Sequence, residues 1–199
     1  MTNLEWASNI LKILAHQGVK QICICAGSRN SPFIEVLDQQ PDLKVFSFFE
    51  EREAGFFAYQ QIKEHNRLTA VITTSGTAVA ELLPACIESY YKQIPLIIIR
   101  SDRPKSFRGS GAPQAIEQVG IFSTYAKTID LEIQSSAEIA ISLDAPNHIN
   151  VCFAEPLVSG KVPEWEHTKN AAYQKTIPAG KKFSGDIKNP LVIVGDIFS

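Results

Sequence analysis

The sequence has 199 residues, of which 45% are hydrophobic and 20% are charged. This composition supports a sizeable core and excludes an intrinsically disordered chain. Nineteen basic and twenty-one acidic residues give a net charge of -2, which argues against a function that rests on binding the backbone of a nucleic acid. No apolar run is long enough to span a bilayer, and the N-terminus lacks the basic and apolar segments of a signal peptide.

The hydrophobic pattern alternates along the chain between helical spacing and short, continuous apolar runs. Helices are predicted over 3–17, 31–39, 51–64, 75–92 and 136–144, and strands over 21–25, 44–49, 68–73, 96–99 and 148–153. Continuous apolar strands that alternate with helices indicate an α/β domain, built on a parallel sheet with helices on both faces. In such a sheet we expect the functional side chains at the carboxyl ends of the strands.

Three segments are expected along the chain. Residues 1–158 form the α/β domain, residues 159–187 form a polar linker without periodicity, and residues 188–199 begin a second domain with one strand. A single strand of this kind cannot bury itself, so we expect the chain to be the amino-terminal part of a longer protein.

The four cysteines Cys23, Cys25, Cys86 and Cys152 lie in strand-like or helical apolar stretches and lack the paired spacing of metal ligands. They are interpreted as buried small hydrophobic residues in a reducing compartment. We therefore expect a cytoplasmic protein.

Two of the loops at the expected sheet edge combine turn residues with charge. Arg29, in the first loop, carries a planar guanidinium suited to a carboxylate or phosphate, although this motif taken alone favours a surface arginine in a well-capped turn. In the second loop, Glu50, Glu51 and Glu53 fit simple capping of a helix N-terminus. The alternative is that one of these carboxylates turns into the crevice with a raised pKa.

The other two loops also fit anion binding. Ser75, Gly76 and Thr77 open a helix and present backbone N–H groups to a polar ligand, although capping explains them as well. Arg100, Arg103 and Arg108 lie in or near a glycine-rich connection, as in an anion clamp or a solvated loop. No single loop is decisive, but the fold would bring all four together.

Taken together, five short motifs match a known family in order and spacing. They are Gly27-Ser28-Arg29-Asn30-Ser31-Pro32, Glu50-Glu51-Arg52, Thr74-Ser75-Gly76-Thr77-Ala78, Asp102-Arg103-Pro104 and Gly111-Ala112-Pro113-Gln114. The chain thereby resembles the amino-terminal, pyrimidine-binding domain of the 2-succinyl-5-enolpyruvyl-6-hydroxy-3-cyclohexene-1-carboxylate synthases. These transferases of menaquinone (vitamin K2) biosynthesis belong to the thiamine diphosphate-dependent superfamily. The resemblance covers residues 1–158.

The resemblance implies a cofactor site for thiamine diphosphate, of which this domain would bind only the pyrimidine half. Glu51 matches the catalytic glutamate that hydrogen-bonds the pyrimidine ring nitrogen, and Ser75, Gly76 and Thr77 match the cofactor-binding turn. Glu53 departs from the small residue that is common at its position.

The resemblance also implies the substrates. Ser28, Arg29, Arg103 and Gln114 match the residues that bind 2-oxoglutarate and isochorismate, and the implied reaction decarboxylates the first and adds the succinyl carbanion to the second. Pro113 replaces the usual asparagine before Gln114.

No Gly-Asp-Gly motif with a following Asn-Asn pair occurs in the sequence. The resemblance therefore implies that Mg²⁺ or Mn²⁺ is held by a carboxyl-terminal domain, with no metal ligand in this chain. It implies a homo-oligomer, a dimer or tetramer, when full-length, and a fragment that is inactive alone. Two alternatives stay open: the same domain of another thiamine diphosphate enzyme, such as an acetolactate synthase-like one, and a non-catalytic subunit.

Overall fold

The computed structural model describes residues 1–133, 138–165 and 173. The helices are α1 (Asn3–His16), α2 (Ser31–Asp38), α3 (Glu51–His65), α4 (Thr77–Ala80) and α5 (Leu83–Tyr91). The strands are β1 (Gln21–Cys25), β2 (Lys44–Phe48), β3 (Thr69–Thr73), β4 (Ile97–Asp102), β5 (Lys127–Leu131) and β6 (Asn147–Cys152).

The strands form one six-stranded sheet in the order β2-β1-β3-β4-β6-β5. Every neighbouring pair is parallel, and the register pairs Cys25 with Phe48 and Thr73 with Arg100 at the carboxyl ends. The predicted α/β class with a parallel sheet is confirmed. All six strands therefore deliver their following loops to one edge.

Helices cover both faces because alternate strand residues point to opposite sides. On one face, α1 and α2 pack against a cluster that includes Ile24, Ile72 and Ile99. On the other face, α3 and α5 pack against a cluster that includes Val71 and Ile98. The continuous apolar runs in the sequence thus correspond to strands that are buried on two sides.

The first helix begins as its sequence predicts. The Thr2 Oγ1 accepts a hydrogen bond from the Glu5 amide at 3.2 Å, and the Glu5 carboxylate accepts one from the Thr2 amide at 2.7 Å. This reciprocal capping satisfies two backbone donors that no helical carbonyl can reach.

Two predicted helices differ in the structure. The helix predicted over 75–92 is interrupted between α4 and α5, where Pro84 lies in the first turn of α5 and cannot continue a helix from the preceding turn. The helix predicted over 136–144 is wrong for the described residues 138–144, which are not helical. There the Gln17 side chain bonds the Ile139 carbonyl and the Ile141 amide, and Asn147 bonds both backbone groups of Ser142.

At the β4–β6–β5 end of the sheet, the structure contains more strand residues than the sequence pattern predicts. Strand β5 was not predicted, and β4 continues through Arg100 and Asp102, residues that the sequence pattern placed in a loop. The arginine is fully buried because the carboxylate of Asp102 lies beside it, with 2.8 Å between Nη2 and Oδ2.

All four cysteines are free and buried, as predicted. Burial raises the pKa of the Cys23 and Cys86 thiols to about 12, so they remain protonated. No helix in the described part of the chain is long and apolar enough to cross a membrane. The predicted strand at 188–199 and most of the predicted linker at 159–187 lie outside the described residues.

Candidate functional site

The two adjacent glutamates at the start of α3 have different surroundings. The Glu50 carboxylate accepts a hydrogen bond from the Glu53 amide at 2.8 Å and caps the helix. The Glu51 Oε1 instead accepts a hydrogen bond from the Thr73 Oγ1 at 3.3 Å. Glu51 follows β2 and Thr73 ends β3, so this bond passes over the end of β1, which lies between them in the sheet. Because Glu50 caps, the half-buried Glu51 carboxylate is turned toward the sheet edge.

The side chain of Cys25 lies close to these glutamates, at the end of β1. Burial, followed by the negative charges of Glu51, Glu50 and Glu53, raises the pKa of its thiol to about 12. The thiol therefore stays neutral and neither competes with Glu51 for protons nor repels it.

The turn after β3 is shaped by glycine. Gly76 has φ +83°, and a Cβ there would lie 2.6 Å from the Gln114 Cγ. The buried Ser75 accepts a hydrogen bond on its Oγ from Arg103 Nη1 at 3.4 Å, and its carbonyl accepts one from Gln114 Nε2 at 2.9 Å. The structure thus brings Ser75, Gly76, Arg103 and Gln114 together, while Thr77 is exposed beside them at the start of α4.

The turn after β1 is held by Asn30, which is fully buried. Its side chain donates to the Cys25 carbonyl at 2.8 Å and accepts from the Gly27 amide at 2.9 Å. A Cβ at Gly27 would lie 2.5 Å from the Thr74 Cβ, so glycine is required for the β1 and β3 turns to approach so closely.

Arg29 is placed apart from Arg103. Its guanidinium forms an ion pair with Glu155 at 3.0 Å and donates to the Phe153 carbonyl at 3.5 Å, just after β6. Ser28 is exposed in the same turn. The two predicted substrate arginines therefore approach the edge from different loops, one beside β6 and the other beside the Ser75 turn.

A dense charge network lies at the ends of β4, β5 and β6. Arg100 is fully buried beside Asp102, and Arg108 makes two hydrogen bonds to Asp130, at 2.9 and 2.7 Å. Burial acts to raise the pKa of Asp130, but hydrogen bonds from Arg108, Asn150 and Lys105 outweigh it and lower the pKa to about 2. Arg100 and Arg108 thus pair with carboxylates of the chain itself, and the fully buried Arg100 does not lie in the solvated loop that was one of its two interpretations.

A cavity of about 270 Å³ lies beside this network, under the connection that follows β4. Its lining includes Asp102, Arg103, Phe107, Arg108, Gly111 and Gln118. Gln118 was not singled out from the sequence and Asn30 was given no role of its own, because the contacts that define their roles are visible only in the structure. In the part of the chain that the structure describes, no group of three or more His, Cys, Asp and Glu side chains could hold a metal ion.

This arrangement defines a class of protein: a parallel α/β domain with a cluster of polar side chains at the carboxyl edge of its sheet. Residues 5–121 match the family model of the thiamine pyrophosphate enzyme N-terminal TPP binding domain. The chain belongs to this family, which confirms the superfamily inferred from its motifs.

Three relatives of known name are similar to this chain over most of its length. A protein of Bdellovibrio bacteriovorus is 54% identical over 167 residues, covering 82% of this chain and 32% of that protein. A protein of Akkermansia muciniphila is 42% identical over 188 residues, covering 91% and 34%, and one of Chloroflexus aurantiacus is 38% identical over 169 residues, covering 77% and 29%. All three are named 2-succinyl-5-enolpyruvyl-6-hydroxy-3-cyclohexene-1-carboxylate synthase. The chain spans about a third of the length of these relatives.

Proposed function

We propose that this chain supplies the pyrimidine-binding part of a thiamine diphosphate-dependent transferase that makes 2-succinyl-5-enolpyruvyl-6-hydroxy-3-cyclohexene-1-carboxylate. The observation that carries the proposal is the difference between the two glutamates at the start of α3: Glu50 caps the helix, whereas Glu51 faces the end of β3. The names of the relatives favour this synthase over an acetolactate synthase-like enzyme.

The Glu51 carboxylate fits the cofactor's pyrimidine. Its Oε1 is shared with Thr73, and Oε2 accepts no hydrogen bond from the residues that the structure describes, so it is available to a ring nitrogen. Partial burial strengthens such a bond. When bound, thiamine diphosphate supplies the electron sink for decarboxylation and carbon–carbon bond formation. The role of Glu51 is to hold a proton at the pyrimidine nitrogen.

The turn of Ser75, Gly76 and Thr77 lies beside Glu51 because β3, which carries Thr73, ends just before it. Gly76 adopts a positive φ that brings backbone close to the edge without a Cβ. We assign this turn to the cofactor because it directly follows Thr73, the hydrogen-bond partner of Glu51.

The substrates are polyanionic acids, for which arginine is suited. We assign 2-oxoglutarate and isochorismate to Arg29, Arg103, Ser28 and Gln114. Arg103 contacts Ser75 through one weak 3.4 Å bond, and Arg29 pairs with Glu155, whose side chain is 67% exposed. A substrate carboxylate could replace the hydroxyl as the partner of Arg103 and the exposed Glu155 carboxylate as the partner of Arg29.

The remaining parts of the site belong to other chain segments in this proposal. A carboxyl-terminal domain would hold the diphosphate with Mg²⁺ or Mn²⁺, and a second subunit would complete the site in a homo-oligomer. The relatives are about three times as long as this chain, which leaves room for such a domain.

The test is a hybrid enzyme in which this chain replaces the matching stretch of the Bdellovibrio bacteriovorus relative. With thiamine diphosphate and Mg²⁺, the hybrid is assayed with 2-oxoglutarate and isochorismate, and then with pyruvate in place of each acid. We expect product only from the first pair. Arg29→Ala and Arg103→Ala should each raise KM at least tenfold, because each removes a charge-assisted bond worth about 1.5–3 kcal/mol.

The matched control is Arg67→Ala, an exposed arginine that precedes β3 at the opposite edge of the sheet. It should leave KM unchanged. A hybrid that condenses pyruvate and ignores isochorismate would overturn the synthase assignment in favour of an acetolactate synthase-like one.

A further inference from the structure

Gln118 connects two loops that the proposed site uses separately. It is 2% exposed, and its Oε1 accepts a hydrogen bond from the Gly76 amide at 2.8 Å. Its Nε2 donates to the Asp102 Oδ1 at 2.5 Å. One side chain thus bridges the turn after β3 and the end of β4.

Only an amide satisfies both partners at neutral pH. The Gly76 N–H needs an acceptor and the Asp102 carboxylate needs a donor, so the orientation of the amide follows from its neighbours. A glutamate would set a second carboxylate against Asp102, and a leucine would leave a buried N–H and a carboxylate without this partner.

The bridge closes a ring of contacts at the sheet edge. Asp102 also accepts a bond from the Arg103 amide at 2.8 Å, and the Arg103 guanidinium returns to Ser75 Oγ at 3.4 Å. Ser75 is bonded covalently to Gly76, the other partner of Gln118. Without the bridge, the Ser75–Gly76 turn keeps the long 3.4 Å bond between Arg103 and Ser75 but loses the 2.8 Å bond that directs the Gly76 amide.

The Asp102 carboxylate is itself held in place by two further side chains. Its Oδ2 lies 2.8 Å from Arg100 Nη2 and accepts a bond from Asn150 at 3.3 Å. Asp102 is thus a rigid anchor on β4, while the turn at Gly76 depends on Gln118 for the direction of its amide.

We propose that Gln118 is a positioning residue that sets the Ser75–Gly76 turn against Arg103, and so aligns the cofactor side of the site with its acid-binding side. The functional part of this statement rests on the function proposed above. The mechanical part, that Gln118 fixes the Gly76 amide, stands on the contacts alone.

The mechanical part is tested by amide hydrogen exchange on the 199-residue chain with Gln118→Glu at pH 5 and pH 8. A protonated glutamic acid can donate to Asp102 and accept from Gly76, whereas an ionised one repels Asp102, and burial beside that carboxylate raises the pKa of the introduced group. We expect protection of the Gly76 amide to be within about threefold of wild type at pH 5 and reduced about tenfold or more at pH 8. The Ile98 amide, in the core, reports global stability.

The matched control is Gln60→Glu, which introduces the same charge at an exposed position on α3. It should leave Gly76 protection unchanged at both pH values. If Gln118→Glu protects Gly76 equally at pH 5 and pH 8, or if Gly76 and Ile98 lose protection in parallel, the positioning role is overturned.

The functional part is tested in the hybrid enzyme through the ratio of variant to wild-type kcat/KM. We expect Gln118→Glu to lower this ratio for isochorismate about tenfold or more at pH 8 and to recover within about threefold near pH 6. Loss of Gly76 protection with unchanged kcat/KM would overturn the alignment of the two sides. A hybrid inactive even with wild-type Gln118 would instead count against the proposed function and leave the exchange result standing.

Discussion

The two ends of the sheet edge treat charge in opposite ways. At the β4–β6–β5 end, Arg100, Asp102, Arg108 and Asp130 pair with one another through several bonds. At the β2–β1–β3 end, Glu51 has one 3.3 Å contact with a threonine hydroxyl. The networked charges are committed to the fold, whereas the sparsely bonded carboxylate is available to a ligand. We expect the number of internal partners to distinguish the charges that stabilise this fold from the charges that a ligand can use better than residue type does.

The largest effect should come from removing the anchor of the network. Asp102→Ala leaves the Arg100 guanidinium buried without its carboxylate, and breaking a buried pair in this way costs about 3–5 kcal/mol. Urea unfolding of the chain measures the loss, with Asp38→Ala on the exposed side of α2 as the control. A loss below about 1 kcal/mol would show that Arg100 finds other partners.

A second test uses pH. Burial and the nearby charge of Arg100 lower the pKa of His148 to about 3, so the folded protein keeps this ring neutral. Below the unfolded pKa of about 6.5, the unfolded state takes up a proton that the folded state does not. The free energy of unfolding therefore decreases as the pH is lowered. Relative to His148→Phe, wild type should lose about 2–3 kcal/mol between pH 7 and pH 4.5.

If wild type and His148→Phe lose the same free energy of unfolding between pH 7 and pH 4.5, a group other than His148 titrates over that range. The ring packs edge-on against Phe122 with 4.8 Å between ring centroids, and its Nδ1 lies 3.2 Å from the Thr128 hydroxyl. The charge of Asp130 acts to raise the pKa of His148, but burial and Arg100 outweigh it.

The other end of the edge is tested through the tight contact between Gly27 and the Thr74 side chain. Gly27→Ala sets a methyl group 2.5 Å from the Thr74 Cβ and should destabilise the chain by about 1–3 kcal/mol. Gly120→Ala is the control, because a Cβ there meets nothing within 4 Å. Thermal unfolding should show a clear shift for the first variant only, and equal shifts would argue against the tight contact between the turns.

The smallest stability effects separate the two glutamates of α3. Glu50→Ala removes a cap and should cost about 1 kcal/mol. Glu51→Ala removes a negative charge near the helix N-terminus and the 3.3 Å bond from Thr73, and should cost about 0.5 kcal/mol. Chemical denaturation of both variants measures the difference, and the reverse order would mean that Glu51 is the structural residue of the pair.

The sequence predicted the sheet and its functional edge because buried parallel strands are continuous apolar runs and their loops share one side. It missed β5, since Lys127–Leu131 is an edge strand that is only partly buried, with a mixed polar pattern. It placed Arg100 in a loop because a charged residue at the end of an apolar run indicates the end of a strand, although its partner Asp102 lies only two residues further on, on the same face of β4. Gln17 stabilises residues 139 and 141 from far away in the sequence, so the false helix over 136–144 could not be recognised locally.

The candidate site was predictable to a similar extent. Glu51, Ser75, Arg103 and Gln114 could be named from motifs, and the structure places the last three in contact. The choice between Glu50 and Glu51 as the capping residue required coordinates. Gln118 lay outside any motif that indicated chemistry, because its importance comes entirely from its two partners.

The most direct test of the account compares Glu51→Gln with Glu50→Gln in the hybrid enzyme. Each substitution removes one negative charge from the same helix turn, and glutamine at position 50 can still cap through its carbonyl oxygen. We expect Glu51→Gln to lower kcat about 10²-fold or more, as removal of a group that transfers or holds a proton does, and Glu50→Gln to stay within about twofold of wild type. Equal activities, or a greater loss at Glu50, would contradict the assignment of Glu51 as the residue that serves the cofactor.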